Sequence, residues 1–431
     1  MTADRTVKVD YLARVEGEGA LDLVLRDGQV TEARLRIFEP PRFFEAFLRG
    51  KDRADVPDLT SRICGICPIA YQMSSVHALE AAAGVQVGEP IRTLRRLFYC
   101  GEWIESHALH IYLLHAPDFL GYESGLSLAA DHPEPVKRGL SIKKTGNDLV
   151  EAIGGRAIHP VSARLGGFSR PPRKRELLAL LPRLERALED ALATVAFAAS
   201  LPFPDFTADY DFVSLCHPSE YPMNEGEIVS STGLRVSASD FEKHFVEEHV
   251  AHSNALQSRK DGGVYLVGPL ARLWLNYDRL HPVALKAARE CGIPLPTRNP
   301  FVSIVVRAVE LVHAVAEAAD IVRAYEEPER AWVDVPLRAG TGTAATEAPR
   351  GLLYHRYEVG PAGEVLSAKI VPPTAQNQAR IETDLREFAP RFLHLPNAEL
   401  TWKLEQLVRA YDPCISCATH FLKVRLIGGT S

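Results

Sequence analysis

The sequence has no long apolar run, no excess of positive charge and no apolar stretch near its N-terminus. Its most apolar segment, residues 301–322, contains four charged side chains, so it predicts a buried helix rather than a membrane span. With 49 Lys and Arg residues against 55 Asp and Glu residues, the net charge is −6, which argues against a nucleic-acid partner. The N-terminal residues do not form a signal peptide. We therefore expect a cytoplasmic protein without direct membrane insertion.

Cysteine is also scarce, with seven in 431 residues. The odd number and uneven spacing do not suit a disulfide framework. Cys100, Cys216 and Cys291 are isolated, and we interpret them as small buried apolar side chains. No Gly-x-Gly-x-x-Gly segment opens a βαβ unit, so the sequence predicts no dinucleotide site of that kind in this chain.

The four remaining cysteines form two Cys-x-x-Cys pairs near opposite ends of the chain, Cys64-Gly65-Ile66-Cys67 and Cys414-Ile415-Ser416-Cys417. This spacing lets two sulfurs bind one ion, and sulfur ligands favour nickel, iron, zinc or copper(I). Pro68 is expected to open a helix, which would place Cys67 where free amides and the helix dipole favour a thiolate. A structural zinc site is the alternative, although such sites usually join ligand pairs that are close in sequence.

Periodicity predicts a β-hairpin over residues 7–38 and a long helix over 91–115. Further helices are predicted over residues 174–198, 239–256, 301–325, 378–388 and 397–410. Since the first and last segments must meet at the metal, we predict one domain over residues 1–420. We expect an α+β, predominantly α-helical chain with a helical core and peripheral β-hairpins.

The two cysteine segments, Arg62-Ile63-Cys64-Gly65-Ile66-Cys67-Pro68 and Asp412-Pro413-Cys414-Ile415-Ser416-Cys417-Ala418-Thr419-His420, resemble those of the large, catalytic subunit of the [NiFe] hydrogenases. The resemblance implies that family's fold, with a central helical bundle. It implies that Cys64 and Cys414 are terminal nickel ligands. It also implies that Cys67 and Cys417 bridge nickel to an iron that carries CO and cyanide.

Two more segments extend the resemblance to groups that handle protons and charge. Arg14-Val15-Glu16-Gly17-Glu18 matches the family's Arg-Ile-Glu-Gly-His segment except at its last residue, which implies that Glu16 first accepts a proton from a nickel-bound cysteine. Glu347-Ala348-Pro349-Arg350-Gly351-Leu352 matches the segment that holds an arginine over the open face of the metal pair, which implies this place for Arg350. Asp412 is expected to accept hydrogen bonds in the same pocket.

The resemblance also implies a magnesium site. Glu45, in the segment Phe43-Phe44-Glu45-Ala46-Phe47-Leu48-Arg49-Gly50, matches a magnesium-binding glutamate, and His420 matches a second ligand. The backbone carbonyl of Ile370 is the best match for a third, although the segment around it is an imperfect copy. Oxygen ligands and waters suit this hard cation.

Other positions indicate the subgroup and the partners. Ser106 replaces an aspartate of respiratory relatives and Tyr71 replaces a histidine, so the chain most resembles the bidirectional NAD(P)-linked and sulfhydrogenase-type alpha subunits. His107 and His110 share a helix face and could bind metal, but we favour hydrogen bonding. No cysteines remain for iron–sulfur clusters. The electrons are therefore expected to leave through an iron–sulfur small subunit, then through diaphorase subunits that bind flavin and NAD(P).

Residues 421–431 follow His420, and the resemblance implies that a maturation endopeptidase removes them. A native C-terminal strand is the alternative. The predicted activity is reversible heterolytic cleavage of H2. A regulatory H2-sensing subunit is the second hypothesis, against which the tail argues. A related quinone-module subunit would lack the four cysteines.

Overall fold

The computed structural model describes residues 5–26, 29–40 and 42–419. Within these ranges the strands are β1 (Arg5–Val9), β2 (Gly19–Arg26), β3 (Gln29–Ile37), β4 (Ala163–Arg164), β5 (Gly167–Phe168), β6 (Val213–Cys216), β7 (Glu227–Ser230), β8 (Arg235–Val236), β9 (Phe245–His249), β10 (Leu256–Lys260), β11 (Gly340–Ala348), β12 (Gly351–Val359) and β13 (Val365–Val371).

The α-helices are α1 (Phe44–Leu48), α2 (Val56–Ser61), α3 (Pro68–Ala83), α4 (Glu89–Leu109), α5 (Ala116–Leu120), α6 (Gly125–Asp131), α7 (Pro133–Gly154), α8 (Lys174–Leu178), α9 (Leu181–Ala199), α10 (Phe241–His244), α11 (Pro269–Asn276), α12 (Pro282–Glu290), α13 (Ser303–Ala324), α14 (Pro373–Phe388), α15 (Asn397–Ala410) and α16 (Ile415–Ala418). A π-helical turn, His110–His115, continues α4. None of the helices described here is long and apolar enough to cross a membrane.

Helices α4, α7, α9 and α13 pack together as the helical core. Helix α13 is buried on all sides from Ser303 to Ala316, including Arg307 and Glu310, which is typical of a central helix. Helices α4 and α7 approach closely at Gly146, where a Cβ atom would lie 2.7 Å from the carbonyl oxygen of Gly101. A side chain there would push the two helices apart, so glycine permits this contact.

Three-stranded antiparallel sheets flank the helical core. In one, β11, β12 and β13 follow chain order and pack on α3; in a second, β1, β2 and β3 are joined in the same way, and β6, β7 and β8 form a third. The chain returns to its beginning at Cys414, which forms an isolated parallel bridge with Glu16. One continuous apolar cluster includes residues from Val7 to Cys417. The first and last described segments therefore meet, as the cysteine pairs required.

Most of the expected elements are confirmed. Strands β2 and β3 form the hairpin predicted within residues 7–38, although its Asp27-Gly28 turn lies outside the described residues. Helix α15 has the predicted bounds, 397–410. The α+β, mainly helical class is also confirmed.

The helix predicted over residues 239–256 is wrong. Only α10 is helical there, and the chain then forms β9, which pairs with β10. Phe241 and Phe245 stack with ring centroids 4.4 Å apart. Their spacing matches a helical face, but pairing with a strand later in the chain decides the conformation after His244.

Candidate metal centre

The fold brings the four paired cysteines to one point. The turn between α2 and α3 carries Cys64 and Cys67, whereas Cys414 precedes α16 and Cys417 lies within it. All four Sγ atoms lie within 4.8 Å of one another. The Sγ–Sγ distance is 3.4 Å between Cys64 and Cys414, and 3.6 Å between Cys67 and Cys417. Each cysteine of the first pair therefore faces one of the second.

Burial and charge in this cluster fit a soft metal centre. The four cysteines are at most 3% exposed. Burial raises the pKa of the Cys414 thiol well above its usual value, whereas hydrogen bonds from Cys414, Cys417 and Cys67 lower that of Cys64. Four thiolates would repel one another here unless cations compensated their charge, and nickel, iron and zinc suit this donor set. The residues present thus fit the metal pair that the sequence predicts.

The N-terminal pair depends on its own turn and on helix α4. The Cys64 Sγ atom accepts hydrogen bonds from the backbone amides of Ile66 (3.3 Å) and Cys67 (3.4 Å). Cys67 caps α3, and Pro68 is its first residue. The expectation that free amides of α3 stabilise the Cys67 thiolate is wrong. The Glu102 carboxylate on α4 accepts the amides of Ile69 (2.7 Å) and Ala70 (3.2 Å) instead.

Glu16 contacts the C-terminal pair. Its Oε2 atom lies 3.0 Å from the Cys414 Sγ atom and accepts the backbone amide of Ser416 at 3.0 Å. Burial raises the pKa of Glu16, and Cys64 adds to this rise. Gly17 has a φ of +87°, and a Cβ atom there would lie 2.7 Å from the Ile415 Cβ atom. The Glu16 loop can therefore reach the cysteines only because the next residue is glycine.

Arg350 and Asp412 form a buried ion pair beside the cysteines. Arg350, in the turn between β11 and β12, donates from Nε to the Asp412 carbonyl oxygen (2.9 Å) and from Nη2 to its carboxylate (3.0 Å). Arg307 lies 3.4 Å from the other carboxylate oxygen. Burial alone would lower the pKa of Arg350, but Asp412 and the cysteines raise it above its usual value. Arg350 thus remains a cation with a fixed orientation.

Two of the three expected magnesium ligands lie together. The Oε1 atom of Glu45, on α1, accepts the backbone amide of Ile370, on β13, at 2.8 Å. His420 lies outside the described residues. A further carboxylate, Glu247 on β9, interacts electrostatically with Glu45, and burial raises its pKa to about 8.

The other polar residues named from the sequence are buried, and both histidines have a polar neighbour. His107 Nε2 lies 3.1 Å from Glu310, and His110 Nε2 lies 2.9 Å from the Arg409 carbonyl oxygen. Tyr71 is fully buried, with its ring 5.7 Å from that of His355. In the described part of the chain, the four cysteines form the only group of three or more His, Cys, Asp or Glu side chains close enough to share a metal ion.

Sequence inspection missed the role of Asp118. Its carboxylate accepts hydrogen bonds from Arg14 (2.6 Å) and from two nitrogens of Arg409 (2.7 Å each). Arg409 also donates to the Ala13 carbonyl oxygen at 3.0 Å. Asp118 therefore ties the segment before Glu16 to the helix before Cys414. Both of its partners are far away in sequence, so no local pattern points to this role of Asp118.

Comparisons with known proteins agree with this geometry. A family described as nickel-dependent hydrogenase matches residues 42–171. The chain is 37% identical to the alpha subunit of sulfhydrogenase 2 from Pyrococcus furiosus, over 97% of this chain and 100% of that subunit. It is 34% identical to the alpha subunit of sulfhydrogenase 1 from the same organism, over 97% and 98% of the two chains.

A solved structure of an NAD+-reducing [NiFe]-hydrogenase in the H2-reduced state has a similar fold. Its TM-score is 0.86 at 31% identity, covering 96% of this chain and 99% of that one. The chain therefore belongs to the nickel-dependent hydrogenase family, and it is the catalytic large subunit of a [NiFe] hydrogenase. The family resemblance inferred from the sequence is confirmed.

Proposed function

We propose that Cys64 and Cys414 are the terminal ligands of nickel and that Cys67 and Cys417 bridge nickel to iron. The family resemblance supplies the division into terminal and bridging ligands, and the convergence of all four sulfurs supports it. The two proposed terminal ligands face each other at 3.4 Å, and the two proposed bridging ligands face each other at 3.6 Å. The iron is expected to carry CO and cyanide.

When bound, the metal pair would supply a centre at which H2 is cleaved heterolytically into H+ and a hydride equivalent, which together give two protons and two electrons. Glu16 accepts the proton from the Cys414 sulfur, which lies 3.0 Å away. Burial raises the pKa of Glu16, which makes its carboxylate a better proton acceptor than an exposed one. Arg350, held by Asp412, orients H2 and stabilises negative charge as it develops.

We infer that magnesium is held by Glu45, the Ile370 carbonyl group, His420 and waters. The contact between Glu45 and the backbone of Ile370 supports this grouping, because it brings the carboxylate to the strand that would offer the carbonyl. The same proposal assigns residues 1–420 to one mature domain. In this proposal, a maturation endopeptidase removes residues 421–431. Those residues and His420 lie outside the described part of the chain.

The electrons are proposed to pass to an iron–sulfur small subunit and then through flavin-containing diaphorase subunits to NAD(P). Two similarities support this route: the relatives are named as alpha subunits, and the similar structure is an NAD+-reducing enzyme. Exchange with the NAD(P) pool agrees with the predicted cytoplasmic location.

Metal analysis and infrared spectroscopy of the purified, matured enzyme test the proposal. We expect nickel and iron in equal amounts, with bands of iron-bound CO and cyanide outside the protein absorption. Zinc alone, without those bands, would refute the proposed centre. Intact-mass measurement tests the processing step, which fails if active, nickel-loaded enzyme retains residues 421–431.

A further inference from the structure

A cavity of about 180 Å³ borders the turn that carries the N-terminal cysteine pair. Gly65 and Ile66 of that turn form part of one wall, whereas Glu102 and Glu105 on α4 and Lys143 on α7 line the rest. Glu16 does not line this cavity. The cavity therefore lies beside the turn of the first cysteine pair, whereas Glu16 contacts the second pair.

The two acidic side chains of the cavity lie three residues apart on one face of α4. Glu102 is 1% exposed and Glu105 is 7% exposed, and carboxylates are rarely buried to this extent unless they are paired. Glu102 is fixed by the amides at the start of α3, within the turn region of Cys67. Glu105 accepts a hydrogen bond from Lys143 Nζ at 2.8 Å.

Lys143 forms the solvent end of this arrangement, because its side chain is 27% exposed while that of Glu105 is 9% exposed. The groups ordered from the cysteine turn outward are thus Glu102, Glu105 and Lys143. Both carboxylates interact electrostatically with Cys64.

Burial and neighbouring positive charges act on the pKa of Glu105 in opposite directions. Burial raises the pKa of Glu105 to about 7, against the opposing effects of Lys143 and Arg350. Burial also raises the pKa of Glu102, and the charge of Glu105 raises it further. Two neighbouring carboxyl groups whose pKa values are both raised by burial can each take up a proton and pass it on, which is what a relay requires.

We propose that Glu105, with Glu102 behind it, is a second proton relay of the metal centre, connecting the turn of Cys64 and Cys67 with solvent through this cavity. A proton released on this side breaks its S–H bond to a cysteine of the first pair and forms an O–H bond with one of the two carboxylates. That bond breaks when the proton passes to water at the mouth of the cavity. Lys143 stays an ammonium ion throughout, and no electrons move in these steps. The inference rests on the proposed H2 cleavage and adds a route separate from Glu16.

The carboxyl C=O stretch in infrared spectra, recorded against pH, reads the relay directly. We expect a band that titrates near pH 7 in the wild-type protein and is lost in Glu105→Gln. In Lys143→Met the cation is gone, so the midpoint should rise by about one to three pH units. Glu151→Gln, an exposed position on α7, is the matched control and should leave the band unchanged.

H/D exchange with water then tests the route itself. In a Glu16→Gln background with unchanged nickel content, adding Glu105→Gln should lower the residual exchange by about tenfold or more, whereas adding Glu151→Gln should not. Equal exchange in the single and double variants, or a difference spectrum between wild type and Glu105→Gln that lacks a band titrating near pH 7, overturns the relay. If Glu105→Gln does not retain nickel, the titration midpoint of the carboxyl band in Lys143→Met is the remaining test of the relay. The absence of CO and cyanide bands would refute the proposed metal centre and not the relay, because the carboxyl band is measured independently of them.

Discussion

The N-terminal cysteine pair lies on a turn that leads into a helix of 16 residues, whereas the C-terminal pair lies around a helix of only four residues. In the first pair, Cys64 accepts amides from the same turn. In the second, the Cys414 amide donates to Thr374 (2.9 Å), and the Ser416 amide donates to Glu16 (3.0 Å). The first pair is thus shaped largely by its own segment, and the second by residues far away in sequence.

This difference suggests how the site is completed. A four-residue helix has too few hydrogen bonds to be stable by itself, so the last cysteines depend on Glu16 and Thr374 for their position. The Glu16–Cys414 bridge adds a backbone contact, with the Ile415 amide donating to the Glu16 carbonyl oxygen at 2.8 Å. The same residue that we propose as the proton acceptor therefore also helps to hold its cysteine. Substitutions can separate these two roles.

The largest effect is expected from removing one sulfur from either pair. Cys64→Ala and Cys414→Ala should both abolish nickel retention, because each removes a proposed terminal ligand. The same loss is expected whether the segment is held by its own turn or by distant residues. Nickel analysis of purified variants measures this. Cys291→Ala, at an isolated cysteine, is the control and should keep the metal. A Cys64 or Cys414 variant with full nickel and activity would contradict the ligand assignment.

Glu16→Gln sharpens the comparison at the C-terminal pair. Glutamine can keep the hydrogen bond from Ser416 but cannot carry a proton, so nickel should stay bound while H2 turnover and H/D exchange fall by about 10²- to 10⁴-fold. The exposed Glu18→Gln, two residues further along the same loop, serves as the control. Wild-type exchange in Glu16→Gln would remove this residue from the proton path.

Arg350→Lys should have the next largest effect. Lysine keeps the charge but cannot reproduce the two hydrogen bonds to Asp412, so most turnover should be lost with the metals still bound. Arg356→Lys, on β12 and partly exposed, is the matched control. Steady-state activity within about threefold of wild type, equal to a barrier change of ~0.65 kcal/mol, would show that Arg350 is peripheral.

Local sequence patterns predict the features of the fold and the site that depend on residues close together in the chain. The cysteine pairs, Glu16 and Arg350 stand in segments that carry recognisable patterns, and the alternating residues of β2 and β3 indicate a hairpin. Helix α7 was missed because its glycines weaken the helical pattern, and Gly146 is explained only by the close approach of α4.

Long-range contacts explain the remaining failures in the site. Glu102 and Asp118 lie on helices whose local sequence gives no sign of the groups they bind. Glu102 meets the amides of α3, and Asp118 meets arginines from both ends of the chain. Such roles follow from tertiary packing, which one sequence does not reveal. The same applies to β9, whose pairing with β10 outweighed a helix-like pattern.

The smallest expected effect compares one threonine beside each cysteine pair. Thr374, 2% exposed, accepts the Cys414 amide, so Thr374→Val leaves a buried N–H group without its partner, at a cost of about 1–3 kcal/mol. Thr60, fully buried in α2, donates to the Val56 carbonyl oxygen at 2.9 Å, and that oxygen keeps its helical amide donor when Thr60 becomes Val. Thr374→Val should therefore lower the unfolding temperature and nickel occupancy more than Thr60→Val. If the two variants lose the same amount of unfolding temperature and of nickel occupancy, both cysteine pairs depend to the same extent on distant contacts. The difference between the pairs predicts the larger loss for Thr374→Val.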